Sequence, residues 1–205
     1  MSDHGKGTKA EHLVLTALQS RDPDILSAQI VEIQHLSPTV KSFTLKVQTQ
    51  ELRSYRPGQW IDLFIPSVDM VGGFSMYGPP SRLEQEQILD LAVKYSEWPP
   101  ANWLHTSASV GAQVAVRIGG DFYYEQPDDE GDHQVLLLAG GVGINPLASI
   151  LFHIAEKMSK FLTFVHKKVI LTSLISNRFE SIQLSATPSG IFRQDRKRTL
   201  VQGGY

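Results

Sequence analysis

The sequence predicts a two-domain architecture of the α+β and α/β classes: an antiparallel β-barrel followed by an incomplete Rossmann-like nucleotide domain. Three observations carry this. Between residues 25 and 125 a series of short segments alternates apolar and polar side chains, the period of a half-buried strand. At Gln134–Ala139 the pattern becomes an unbroken apolar run, as expected of a strand covered on both faces. That run stops at Gly140, Gly141, Val142, Gly143, Ile144, Asn145 and Pro146, then resumes with Leu147, Ile150, Leu151 and Ile154 at the spacing of one helix face.

Taken in order, residues 1–24 are polar and read as a frayed, disordered tail closing at Asp22-Pro23. Ala28–Gln34 and Val40–Val47 are strands, joined by a turn at Ser37-Pro38. Gln59–Ile65 is a strand entered through Pro57-Gly58 and stopped by Pro66. Gln87–Tyr95 is the strongest strand of this half. Pro99-Pro100 introduces a short helix over Ala101–Thr106, because proline is tolerated at a helix start. Ala112–Ile118 alternates again after Gly111, and Gln126–Asp132 reads as a surface linker. The barrel therefore spans residues 25–130 and the α/β unit begins over 133–160. Residues 161–205 read as a divergent, poorly ordered segment in which Phe161–Val165 and Val169–Ile175 are strands or a helix extension.

Composition narrows the function. The chain has 205 residues, a formal net charge of −2 and no cysteine. Disulfides, thiolate metal sites and iron–sulfur clusters are excluded within it. Seven histidines are scattered without ligand spacing, so no metal is expected. Balanced charge argues against a nucleic-acid partner, and the basic run Arg193–Arg198 reads as a solvated tail. No stretch reaches the roughly 18 apolar residues of a membrane span. The N-terminal stretch carries no targeting signal, which makes the cytoplasm the default expectation. Trp60, Trp98 and Trp103 read as barrel packing, His105 as structural or exposed, and Asp62 and Asp90 as solvent-facing. No nucleophile–base set or carboxylate pair stands out.

A glycine loop between a strand and a helix lets phosphates approach backbone N–H groups at the positive end of the helix dipole. Three motifs in order resemble the ferredoxin-reductase-like family of flavin- and nicotinamide-binding oxidoreductases: Arg56–Pro66, Gly72-Gly-Phe-Ser-Met76, and Gly140–Pro146 with Ser149. The resemblance covers residues 25–158. It implies that Phe74 lies against a flavin ring, that Ser75 with Met76 sits near it, and that Gly140, Gly141, Val142, Gly143, Ile144, Asn145 and Pro146 touch NAD(P). FAD or FMN and a nicotinamide nucleotide are the cofactors it implies, with an unidentified electron acceptor and a mitochondrial location. The family's phosphate-pairing arginine is replaced by Gly72, and its Gly-x-x-Ser/Thr element by Trp98-Pro-Pro-Ala101. Its later Cys-Gly-Pro-Pro motif has no counterpart. Three readings stay open: an impaired NAD(P)H-dependent flavin oxidoreductase, a truncated non-catalytic isoform, and a ligand-binding barrel without redox turnover.

Overall fold

A computed structural model of the chain describes residues 11–126, 134–160, 168–175, 178–185 and 195–199. The first sheet has six strands: β1 (Leu26–Ser37), β2 (Val40–Gln48), β3 (Trp60–Phe64), β4 (Gly72–Ser75), β5 (Ile88–Lys94) and β6 (Gln113–Gly119). Their order is β4-β3-β6-β1-β2-β5, and every neighbouring pair is antiparallel. Inward side chains alternate along each strand. Ile30, Phe43, Leu45, Ile61, Leu63, Met76, Leu91 and Val116 are at most 1% exposed and form the core. Burying a side chain such as Phe43 contributes about 2–3 kcal/mol.

The expected closed barrel is corrected to an open sheet. Its edge strands β4 and β5 meet only at a bridge between Met76 and Leu91, extended by the Tyr77 N–H donating to the Asp90 carbonyl at 3.0 Å. The next residues but one, Pro79 and Pro80, lack the N–H that a continuing ladder needs. On the other side of the bridge, β4 and β5 run on without pairing to each other. This leaves a seam beside Phe74 and Ser75.

Two helices lie at the seam's ends. α2 (Pro80–Glu86) has no helical apolar period, since Leu83 is its one buried non-proline side chain, and its sequence gave no signal for it. α3 (Pro99–Thr106) starts two residues earlier than the apolar pattern indicates, with both prolines in its first turn.

The N-terminal segment corrects a second expectation. From residue 11 on it is not a frayed tail. α1 (His12–Leu15) forms one turn, and Arg21 bridges to Gly119 on β6. The segment lies as a strap across the outer face of β3 because Asp62 binds it there, as described below.

The second sheet holds β7 (Gln134–Gly140), β8 (Lys168–Ile175), β9 (Arg178–Ser185) and β10 (Asp195–Thr199) in the order β10-β9-β8-β7. β7 and β8 are parallel and are connected through α4 (Ile144–Lys160), giving one βαβ unit. β8–β9 and β9–β10 are antiparallel. Val169–Ile175 falls in β8; Phe161–Val165 and most of the expected linker lie outside the described residues. α4 buries Leu147, Ile150, Leu151 and Ile154 against Leu137. On the opposite face of β7, Leu136 and Leu138 are 63% and 65% exposed. Among the described residues, the apolar run is therefore covered on one face, not two.

Candidate functional site

The glycine loop is open. β7 ends at Gly140, a single tight turn spans Gly141–Gly143, and α4 follows from Ile144. Gly141 has φ +55°, a conformation that a side-chain-bearing residue adopts only with strain. Among the described residues, a Cβ placed at Gly140, Gly141 or Gly143 would meet no atom within 4 Å, so the described chain leaves the space in front of the backbone open. Val142 is exposed, and Ile144 and Pro146 are half-buried. The N–H groups at the start of α4 are largely spent: the cap bonds go back to the Gly141 and Val142 carbonyls, and Pro146 has no N–H.

Asn145 does something else. It is buried, and its side-chain amide donates to the Ala92 carbonyl at 2.7 Å. It pins the start of α4 to β5, one residue past the Met76–Leu91 bridge. The glycine loop and the seam thus meet across β5. Ser149 is also fully buried, beside the Tyr55 hydroxyl, which donates to the Gly78 carbonyl at 2.7 Å. Burial pushes the Tyr55 phenol far above its ordinary range, so it stays a proton donor. Ser81 completes the contact by donating to Glu156 at 2.8 Å. Asn145 and Ser149 are docking residues rather than residues open to a ligand.

On β4 the strand period separates the three predicted contacts. Phe74 pairs with Ile61 and Ser75 with Trp60, so they leave the strand on opposite faces. Both are half-buried. Met76 is fully buried in the core, which removes it from any accessible site. Beneath Phe74 the packing is close. A Cβ at Gly72 would lie 2.4 Å from the Phe74 ring and 2.8 Å from Pro100. Glycine is therefore required at 72, and no longer side chain fits there while Phe74 rests on α3.

Asp62 and Asp90, expected to face solvent, are 0% and 6% exposed. The Asp62 carboxylate accepts from His12 Nε2, Arg21 Nε and Arg117 Nε, each at 2.9 Å, and from Arg117 Nη2 at 2.6 Å. The His12 ring seats on Gly73, where a Cβ would come within 2.2 Å of it. His12 also meets the Trp60 ring edge-on at 4.7 Å, and Arg21 lies over that ring at 4.9 Å. Trp60 is thus half-buried, covered by the strap and not by the sheet's interior. Desolvation holds the His12 pKa below its ordinary value, against the opposing pull of Asp62. Asp90 accepts from Arg82 Nε at 2.7 Å and from Thr44 at 3.2 Å. None of these partners was identifiable from sequence, since each pair is distant along the chain or depends on which face is covered. His105, read as structural or exposed, bonds the Val93 carbonyl at 2.9 Å.

Two clefts of about 460 Å³ lie elsewhere. One is bordered by Arg21, Ser54, Arg56, Gly120 and Tyr123. The other is bordered by Tyr77, Arg82, Asp90, Phe152 and Glu156. Neither includes the glycine loop or Phe74. Among the described residues no cluster of His, Asp and Glu could hold a metal ion, and no helix is long and apolar enough to cross a membrane.

No family model matches the chain. Oxidoreductase NAD-binding domain-containing protein 1 of Danio rerio is 48% identical over 148 residues, covering 72% of this chain and 54% of that protein. The Homo sapiens protein of the same name is 44% identical over 148 residues, covering 72% and 47%. The chain thus spans about half the length of the curated relatives it matches. Among solved structures, the Amycolatopsis cytochrome P450 reductase GcoB aligns with a TM-score of 0.56 at 22% identity, covering 66% of this chain and 40% of that one. Phthalate dioxygenase reductase aligns with a TM-score of 0.54 at 18% identity, covering 71% and 42%. The FAD/NAD-binding domain of a Vibrio cholerae nitric oxide dioxygenase aligns with a TM-score of 0.53 at 23% identity, covering 67% and 58%. These structures share the ferredoxin-reductase-like fold.

Proposed function

This chain is a homologue, over 148 residues, of proteins named oxidoreductase NAD-binding domain-containing protein 1, and from that premise we propose that it binds a flavin and a nicotinamide nucleotide side by side, as an NAD(P)H-dependent flavin oxidoreductase. The observation that carries this is the seam. β4 and β5 stop pairing beside Phe74 and Ser75, and the glycine loop is pinned to β5 at the same level through Asn145. Neighbours of the same fold are an FAD/NAD-binding domain and a reductase for electron transfer from pyridine nucleotides to [2Fe-2S].

The two cofactors supply the hydride exchange when bound, so no general acid or base is required of the protein. The chain's residues bind and orient. Phe74 offers a half-buried ring for stacking and Ser75 a hydroxyl. Because they leave β4 on opposite faces, a planar ring touches both only along the strand's free edge. Gly140–Gly143 admit close approach of phosphate to the loop backbone, at the positive end of the α4 dipole. On this reading residues 25–130 are the flavin half, and the β7–α4–β8 unit is the start of a Rossmann-like nucleotide domain.

The test is anaerobic mixing of flavin-loaded protein with NADH, read as loss of flavin absorbance. Gly141→Val is expected to raise the NADH concentration needed by about tenfold or more, because valine resists φ +55°. Protein that takes up no flavin, or an unchanged NADH dependence in a correctly folded variant, would count against the proposal. A second reading, a ligand-binding module without turnover, is favoured by Gly72 and the Pro99-Pro100 start of α3. It predicts flavin uptake with no bleaching by NADH.

A further inference from the structure

We propose that His12 is a positioning residue for the flavin site: its ring takes the place of the side chain that Gly73 lacks, and so fixes the free edge of β4 from which Ser75 meets the flavin. The inference rests on the flavin reading above. Its ground is the outer face of β4, where the N-terminal strap lies.

β4 is a soft strand. It has four residues, two of them glycine, and it is an edge strand paired with β3. Its support comes from its two faces. Gly72 and Phe74 share one face with Ile61, and there the Phe74 ring and Pro100 occupy the space over Gly72. Gly73 and Ser75 share the other face with their partners Asp62 and Trp60. On that face the His12 ring fills the space over Gly73, and a Cβ there would collide with it. The same ring meets Trp60 edge-on at 4.7 Å, and Trp60 is the cross-strand partner of Ser75. His12, Trp60 and Ser75 thus form one layer.

The Asp62 carboxylate aims the ring by accepting from Nε2 at 2.9 Å. Farther along, the strap is tied by backbone. The Asp22 N–H donates to the Ile118 carbonyl at 2.8 Å, and the Gly120 N–H to the Ser20 carbonyl at 2.9 Å. Loss of the His12 seat therefore loosens the outer face of β4 while the far end of the strap stays in place. Burial of the seated ring disfavours the imidazolium, Asp62 on β3 pulls the other way, and Arg21 on the strap adds to the lowering. Arg117 on β6 shares the Asp62 carboxylate. The net lowering means that protonation favours the unseated ring, so the support of β4 is complete above 6.5 and is lost as the pH falls below it.

The experiment is isothermal titration of the purified chain with FAD, set beside urea unfolding. His12→Ala and Gly73→Ala, whose methyl collides with the ring, are each expected to weaken FAD binding about tenfold, the worth of one misaligned hydroxyl hydrogen bond. The double variant, in which nothing is left to collide, is expected to bind no more weakly than either single one. Wild-type affinity is expected to fall as the pH drops below 6.5, and that of His12→Ala to stay level. A folded His12→Ala with a lower urea midpoint but FAD affinity within about threefold of wild type makes His12 a clamp for the strap and nothing more. That result overturns the inference and leaves the flavin reading intact. Wild-type protein that takes up no FAD overturns both. Should the variants fail to fold, the wild-type pH profile decides: affinity that stays level from above 6.5 down to the acid limit of the folded protein overturns the inference.

Discussion

Asp62 is fully buried and accepts hydrogen bonds from three cationic or titratable side chains, so its charge is satisfied entirely by protein. Such a carboxylate matters most through what its loss leaves behind. In Asp62→Asn, Arg21 and Arg117 keep their charge next to a neutral amide on a water-poor surface. Breaking a buried ion pair costs about 3–5 kcal/mol. Here the partners are 14–24% exposed and regain some hydration, so a loss of about 2–3 kcal/mol is expected. Urea unfolding measures it, and a change under about 0.5 kcal/mol, ordinary for a surface site, would show that the strap is not held by Asp62. Strand alternation placed Asp62 correctly on the outer face of β3. It gave no sign that the strap crosses that face, because His12 is 50 residues away in sequence.

At the scale of elements, α4 is docked by polar contacts around an apolar stripe. Its stripe was legible in the sequence because Leu147, Ile150, Leu151 and Ile154 recur at helical spacing. Its docking was not. Asn145 looked like part of a nucleotide loop, and it is the residue that joins that loop to the first sheet through Ala92. Asn145→Ala leaves the edge-strand carbonyl without its partner, at about 1–2 kcal/mol. The expected outcome is faster hydrogen exchange in the first two turns of α4, by about tenfold, with the core of the first sheet unchanged. Unaltered exchange at α4 would mean that Tyr55, Ser149 and the Ser81–Glu156 bond suffice. α2 escaped notice for the converse reason. Only Leu83 among its non-proline residues is buried, so one apolar residue could not display a period.

For the molecule as a whole, two half-buried histidines set the acid limit. Desolvation lowers the pKa of His12 and of His153, and Lys157 adds to the lowering at His153. Both are therefore harder to protonate folded than at the unfolded value of 6.5. Their contribution is fully present above that value and is lost as the pH falls below it through the lowered folded values. Stability is expected to decline as the pH falls below 6.5, and His12→Gln with His153→Gln to flatten that slope. Denaturation midpoints at stepped pH test this, and a parallel slope in the double variant contradicts it. The broad architecture was legible because strand periods, proline stops and the glycine loop are local signals. Closure was not. Whether β4 and β5 join depends on Pro79 and Pro80 and on where the edges fall in space, which no local pattern records.

The seat of His12 against Trp60 gives this molecule a light signal of its own. An imidazolium beside an excited indole accepts electron density and dims its emission, whereas a neutral imidazole does so weakly. Trp60 has the His12 ring at 4.7 Å, and the same ring covers Gly73, next in sequence to Phe74. Protonation of His12 is therefore expected to dim the Trp60 share of the emission, over a background from Trp98 and Trp103.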